Sequence, residues 1–120
     1  MAEAIKDTMP GVRIIGIEPN NSNVLNGGKA GPHKLQGIGA GFIPENLNRA
    51  LVDQVMEISA EEAFEMTRKL AQEEGLFVGI SSGAAVEAAL RVAKELGKGK
   101  RVLVIAPDGG SRYLSIEGLF

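Results

Sequence analysis

Two adjacent serines at the start of a predicted helix are the side chains best placed for chemistry. Ser81 and Ser82 follow the apolar segment Val78–Ile80 and precede Gly83, which lets another group approach the backbone closely. A serine hydroxyl here can cap the helix by accepting a hydrogen bond from a first-turn amide. Ligands in open α/β sheets also bind at this point, where a strand ends and the positive end of a helix dipole begins. The residues alone leave both interpretations open, a capped turn and a ligand site.

A second candidate is the glycine-rich segment Gly31–Pro44, G-P-H-K-L-Q-G-I-G-A-G-F-I-P. Its alternating glycines indicate a backbone that is mobile or that approaches another group closely. The segment is not a dinucleotide-binding fingerprint, because that motif leads from a strand into a helix and here Pro44 and Asn46 follow.

The chain has one histidine, His33, next to Lys34. A metal site needs several ligands together, and His33 has no second ligand at a useful spacing, so we predict an ordinary hydrogen-bonding role in the loop. Lys34 is predicted to be a solvated lysine rather than a catalytic amine, because nothing near it in sequence would desolvate it.

Alternating helix and strand signals must position these residues. Apolar or β-branched segments predict about four strands, at Val12–Glu18, Leu51–Ile58, Leu76–Ile80 and Val102–Ala106. Helices are predicted at the N-terminus up to Pro10 and over Asn46–Ala50, Ala60–Glu74 and Ala84–Leu96. Ser59 and Glu62 form a capping box before the third helix, and Gly75 ends that helix. The alternation predicts an α/β fold, a mostly parallel sheet with helices on both faces.

Composition indicates one globular domain over residues 1–120. Hydrophobic residues make up 44% of the chain, and the net charge of −2 argues against nucleic acid as a partner. The absence of cysteine excludes disulfides and thiolate metal sites, and we expect no metal. No apolar run approaches the ~18 residues of a membrane span, so we expect no membrane contact.

Three stretches together closely resemble the C-terminal part of the cysteine synthase (O-acetylserine sulfhydrylase) family, pyridoxal-phosphate enzymes of the tryptophan-synthase-β-like fold (fold type II). They are Gly31–Pro44, V-G-I-S-S-G-A-A-V at Val78–Val86 and P-D-G-G-S-R-Y-L-S at Pro107–Ser115. The family usually has P-D-S-G-E-R-Y-L-S in the last stretch, so Gly109 and Ser111 depart from it.

The resemblance assigns roles to particular residues. Ser81 is implied to hydrogen-bond the ring nitrogen of pyridoxal phosphate, and the loop that closes over the substrate is implied to contain Gly37, Ile38, Gly39 and Ala40. The same loop is implied to help receive the C-terminal tail of a serine acetyltransferase. Residues implied to support the site are Gly79, Ser82, Gly83, Pro107 and Asp108.

The family's lysine that holds the cofactor, its asparagine loop and its phosphate-binding loop all lie in an N-terminal part whose motifs this sequence lacks. Lys6-Asp7 is only superficially similar to the lysine motif. We therefore expect an incomplete cysteine synthase fragment that has no catalytic residue of its own, is empty of cofactor and inactive alone, and self-associates.

Three functions follow as hypotheses. The first is the C-terminal part of a cytoplasmic, homodimeric cysteine synthase, with O-acetylserine, O-phosphoserine or serine open as the amino-acid substrate and sulfide as the second substrate. The second is a non-catalytic module that binds an acetyltransferase tail or another peptide at Gly37–Gly41. The third is a small α/β domain that binds a phosphate ligand at Ser81 and Ser82. Absorbance after addition of pyridoxal phosphate separates the first and third from the second.

Overall fold

The computed structural model describes residues 1–120 and contains five regular helices and strands. They are α1 (Ala2–Thr8), β1 (Ile15–Pro19), β2 (Gln54–Ile58), α2 (Ala60–Glu74) and α3 (Ile80–Leu96). Three short 3-10 turns occupy Val24–Asn26, Arg49–Leu51 and Gly110–Tyr113. The helix predicted over Asn46–Ala50 is therefore a single 3-10 turn at the end of that segment.

The sheet consists of β1 and β2, which run parallel. Their register pairs Ile15 with Gln54 and Pro19 with Ile58. Beyond the paired residues, the Asp53 amide donates to the Ile14 carbonyl at 2.8 Å, which extends the ladder at its start. The predicted α/β class with a parallel sheet is confirmed.

The two other predicted strands do not form. Between Leu76–Ile80 and Val102–Ala106, pairing is confined to one isolated antiparallel bridge that joins Val78 to Gly109, just beyond the second segment. Leu103 is 85% exposed, although its segment had the apolar pattern of a strand covered on both faces. Such a pattern produces a strand only where neighbouring strands accept its backbone hydrogen bonds, and none of residues 1–120 lies beside this segment as a partner strand. The sheet therefore has two strands rather than about four.

Helix α2 has the bounds that the sequence predicted. The Ser59 hydroxyl accepts from the Glu62 amide at 3.2 Å, and the Glu62 carboxylate accepts from the Ser59 amide at 2.9 Å. These two bonds confirm the capping box, and Gly75 ends the helix in the left-handed region with φ of 68°. The buried residues of the helix are Ala63, Met66, Thr67 and Leu70.

Helix α3 packs along α2 and contributes most of its small residues to the core. A Cβ built on Gly83 would lie 2.6 Å from the Ala63 carbonyl oxygen and would overlap the Thr67 hydroxyl, so only glycine permits this close approach of the two helices. The buried apolar core consists of Leu35, Ile58, Ala63, Ile80, Ala84, Ala88, Tyr113 and Leu119. No helix combines the length and the apolar character that spanning a bilayer requires.

Candidate functional site

The start of α3 differs from the sequence prediction. The helix begins at Ile80 with Gly79 as its N-cap, so Ser81 and Ser82 lie inside the first turn and neither makes a capping hydrogen bond. Ile80 is fully buried in the core. Burial of this side chain starts the helix four residues earlier than the predicted Ala84. The predicted capping role is wrong, and the two hydroxyls do not bond the first-turn amides.

Both serines are buried, and one hydroxyl lacks a partner. Ser81 is 7% exposed, Ser82 is fully buried, and the Ser82 Oγ makes no hydrogen bond. A buried hydroxyl without a partner costs free energy, so an unpaired group in a native fold calls for an explanation. A turn in which the serines only cap the helix is therefore excluded. Both serines still lie at the positive end of a 17-residue helix.

Asp108 ties the last motif to the start of α3. The Gly79 amide donates to the Asp108 backbone carbonyl at 3.1 Å, and the Tyr113 hydroxyl donates a short hydrogen bond to one Asp108 carboxylate oxygen. That hydrogen bond, together with burial and the nearby carboxylate charge, raises the pKa of Tyr113 above its usual 10. The other carboxylate oxygen, Oδ1, is buried and has no partner.

The glycine-rich loop has the backbone that its sequence predicted. Gly37, Gly39 and Gly41 all have positive φ, at 91°, 65° and 81°. Gly39 additionally packs so closely on Pro19 and His33 that a Cβ there would overlap both. The loop shape therefore depends on glycine at these positions.

His33 holds this loop in place. Its Nδ1 accepts from the Leu35 amide at 3.2 Å, which leaves the ring proton on Nε2 to donate to the Gly39 carbonyl at 2.8 Å. The predicted loop role is confirmed. Lys34 is exposed, as expected for a solvated lysine.

An open cleft of about 590 Å³ lies between this loop and the end of β1. The loop contributes Gly37–Phe42, and the other wall includes Ile17, Glu18, Val24 and Leu25. Ser81 does not line the cleft. The structure thus places the predicted substrate loop and the predicted cofactor serine in two separate surroundings.

One core nevertheless connects the three motifs. Leu35 and the half-buried Ile38 come from the glycine-rich segment, Ile80 comes from the serine turn, and Tyr113 comes from the last motif. Because protein interiors are close-packed, a change in one motif is felt by the others through these contacts.

Sequence reasoning missed Glu18, which organises one wall of the cleft. Its side chain is buried, and its carboxylate accepts from the amides of Leu25 and Asn26 at 2.9 and 3.0 Å. Glu57 on the neighbouring strand accepts from the side-chain amides of Asn23 and Asn26 at 3.1 and 3.0 Å. In the sequence, the signal for this network is an acidic residue at the end of an apolar strand, directly before an asparagine-rich loop. That signal alone does not predict that the carboxylate is buried.

Comparisons with known proteins find related sequences that cover most of the chain. Residues 1–108 match the family model described as "Pyridoxal-phosphate dependent enzyme". Cysteine synthase of Staphylococcus aureus (strain N315) is 51% identical over 115 residues, which are 96% of this chain and 37% of that protein. The chain therefore spans a little over a third of the length of this relative.

Solved structures show the same relationship. A cysteine synthase from Entamoeba histolytica superimposes with a TM-score of 0.93 at 42% identity and covers 96% of this chain and 34% of its own. An O-acetylserine dependent cystathionine beta-synthase from Helicobacter pylori gives a TM-score of 0.88 at 50% identity, covering 99% of this chain and 38% of its own. At these identities the likeness extends to sequence as well as fold.

Proposed function

Because the chain belongs to the family of pyridoxal-phosphate dependent enzymes, we propose that it is the C-terminal part of a cysteine synthase. The reaction replaces the acetoxy group of O-acetylserine with sulfide, which yields cysteine and acetate. The observation that carries the proposal is 51% identity to a cysteine synthase over 96% of this chain. O-acetylserine is favoured over O-phosphoserine and serine because the H. pylori relative is an O-acetylserine dependent enzyme.

The residues at the start of α3 fit the ring-nitrogen end of pyridoxal phosphate. An unprotonated pyridine nitrogen accepts a hydrogen bond, and Ser81 supplies a hydroxyl there on a buried helix turn. The hydroxyl of Ser82 has no hydrogen-bond partner within the chain, so this turn has a donor to spare. When bound, the cofactor withdraws electrons from the amino-acid α-carbon and so lets the β-substituent leave. A neutral serine donor, unlike a carboxylate, leaves the ring nitrogen unprotonated and moderates that withdrawal.

The remaining parts of the cofactor have no holder that we can identify in this chain. Lys6 is ion-paired with Asp53 at 2.7 Å, and the other lysines are exposed. A nucleophilic lysine needs an activating site such as a desolvated pocket, and none of these lysines is buried. We therefore propose that this chain is inactive by itself and that the covalent and phosphate contacts come from a preceding segment of the family fold.

The experiment compares two preparations. One is the purified 120-residue chain, and the other is a chimera in which this chain replaces the matching C-terminal region of the S. aureus cysteine synthase. Both are given pyridoxal phosphate, O-acetylserine and sulfide. The proposal predicts cofactor absorbance and cysteine formation in the chimera alone. A chimera that folds but neither binds cofactor nor forms cysteine would refute it, as would turnover by the 120-residue chain alone.

A second candidate function is a peptide-binding module, which the cleft favours. Half of its lining residues are hydrophobic, and it is open enough to receive an extended segment at Gly37–Gly41. The partner that the family resemblance supplies is the C-terminal tail of a serine acetyltransferase. Calorimetric titration of the chimera with that tail peptide tests the proposal, and Gly39→Ala, which strains the loop, should weaken binding. Tail binding by the chain without any cofactor absorbance in the chimera would favour this function over the first.

A further inference from the structure

Two side-chain atoms in residues 1–120 are polar, buried and without a hydrogen-bond partner, and both lie around Ser81. They are Oγ of Ser82, the next residue, and Oδ1 of Asp108, whose backbone carbonyl accepts from Gly79. Unpaired buried groups are rare because each costs free energy that a paired group does not. Both atoms lie near the start of α3, which indicates that a contact needed at this position outweighs the free-energy cost of leaving them unpaired.

Asp108 is held against this turn from two sides. Its carboxylate accepts from the Tyr113 hydroxyl, while its backbone carbonyl accepts from the Gly79 amide at 3.1 Å. Tyr113 belongs to the same buried core as Ile80, so the aspartate is fixed to the core that holds the first turn of α3. A neighbouring hydrogen bond, from the Gly110 amide to the Phe77 carbonyl at 3.0 Å, also joins the turn that contains Asp108 to the residues just before α3.

Gly79 leaves room for this arrangement. A Cβ built on it would overlap Asp108 Oδ1 and lie 2.7 Å from the Tyr113 ring. The carboxylate therefore lies directly against the backbone two residues before Ser81. No side chain other than hydrogen is compatible with that contact unless the aspartate moves.

We propose that Asp108, held by Tyr113, is a positioning residue that fixes the Gly79–Ser81 turn and thereby sets the direction of the Ser81 hydroxyl. This proposal rests on the proposed function, because the hydroxyl needs a defined direction only if it contacts the cofactor ring. Asp108 does not touch the reacting atoms in this role and acts through the backbone and Ser81. Hydrogen bonds to a charged group are stronger than neutral ones, which suits a carboxylate to such a role.

The hydrogen bond itself is tested in the 120-residue chain without cofactor. Tyr113 is the only tyrosine and the chain has no tryptophan, so absorbance at 295 nm follows its ionisation alone. The groups that act on it are the Asp108 carboxylate, which disfavours the tyrosinate, and Arg112, which favours it. In Asp108→Asn the midpoint of the Tyr113 titration should fall toward about 10. An unchanged midpoint would overturn the proposal at its first step.

The positioning role is tested in the S. aureus chimera with pyridoxal phosphate as the probe. Tyr113→Phe and Asp108→Asn should each weaken cofactor binding by about fivefold, the effect of one lost hydrogen bond, and should shift the absorbance maximum of the bound cofactor. The matched control is Asp53→Asn, which removes a carboxylate that accepts from Lys6 and from the Ile14 amide and lies outside the three motifs. The control should leave both the affinity and the absorbance maximum as in the parent.

The outcomes separate the two proposals. If the parent chimera binds cofactor and the Tyr113 and Asp108 variants lower its melting temperature without changing its cofactor affinity or absorbance maximum, the positioning role is refuted while the proposed function stands. If the parent chimera folds but binds no pyridoxal phosphate, the proposed function is refuted and the positioning role with it. A shifted absorbance maximum confined to the Tyr113 and Asp108 variants supports both.

Discussion

Replacing Gly83 with alanine should destabilise the fold, although alanine is the better helix former. The added Cβ would lie 2.6 Å from the Ala63 carbonyl oxygen and 3.0 Å from the Thr67 amide nitrogen, and it would overlap the Thr67 hydroxyl. Two of these atoms belong to the backbone of α2, so the clash is relieved only if the two helices move apart. Overpacking of this kind costs about 1–3 kcal/mol.

The opposing effect is smaller. Alanine in a helix interior gains up to about 1 kcal/mol over glycine, and Gly83 lies near the helix start, where the gain is less. The net loss for Gly83→Ala is therefore about 1–2 kcal/mol, a fall of several degrees in melting temperature for a domain of this size. Urea unfolding followed by circular dichroism measures it, at one protein concentration throughout because association alters apparent stability.

Two further variants test whether the contact between α2 and α3 causes the loss of stability. Gly11→Ala is the control, because a Cβ there meets nothing within 4 Å and the residue has no positive φ. Thr67→Ala in combination with Gly83→Ala removes the hydroxyl overlap but not the carbonyl contact, so it should recover only part of the loss. If Gly83→Ala were as stable as the parent or more so, the close contact between α2 and α3 would not be the determinant we describe.

Three further predictions concern the helix start, pH and association. Ser59→Ala should cost about 1 kcal/mol in urea unfolding because it removes the cap of α2, and a loss near zero would contradict the capping box. The pKa of Glu62 is lowered by its bond from the Ser59 amide and by Arg91, so its contribution is present above the unfolded value of 4.5 and is lost as pH falls through the lower folded value. Glu62→Gln should flatten the acid limb of a melting temperature profile as the pH falls below 4.5, and an unaltered limb would exclude this source. The isolated chain should self-associate through exposed apolar residues such as Leu103 and Phe77, so light scattering that shows only monomer at high concentration would count against it.

Local signals predicted α2 well, because both of its ends are encoded within a few residues. The Ser59–Glu62 capping box and Gly75 at the C-terminus depend on nearby atoms only, and the helix has the predicted bounds Ala60–Glu74. Strands were also predicted at the positions of β1 and β2, although both begin three residues later than the predicted Val12 and Leu51. These features required no knowledge of the rest of the fold.

Features that depend on distant residues were not predicted. The sequence placed the start of α3 after the serines, but burial of Ile80 in the core moved it to Gly79–Ile80. The segment Val102–Ala106 has the composition of a central strand, yet a strand also requires hydrogen-bonding neighbours. The bond between Tyr113 and Asp108 was likewise invisible, because it depends on the path of a turn rather than on a periodic pattern.

The central claim is that Ser81 supplies the hydrogen bond to the ring nitrogen of pyridoxal phosphate. The most direct test measures cofactor affinity and the visible spectrum in the S. aureus chimera for Ser81→Ala, Ser81→Asp and Ser82→Ala. Ser81→Ala should weaken binding by about fivefold, and Ser81→Asp should change the spectrum and the ratio of cysteine to side products, since a carboxylate keeps the ring nitrogen protonated. Ser82→Ala should change neither, because the ring-nitrogen contact is assigned to Ser81 and none is assigned to Ser82. If Ser82→Ala weakened binding while both Ser81 variants behaved as the parent, the claim would be wrong.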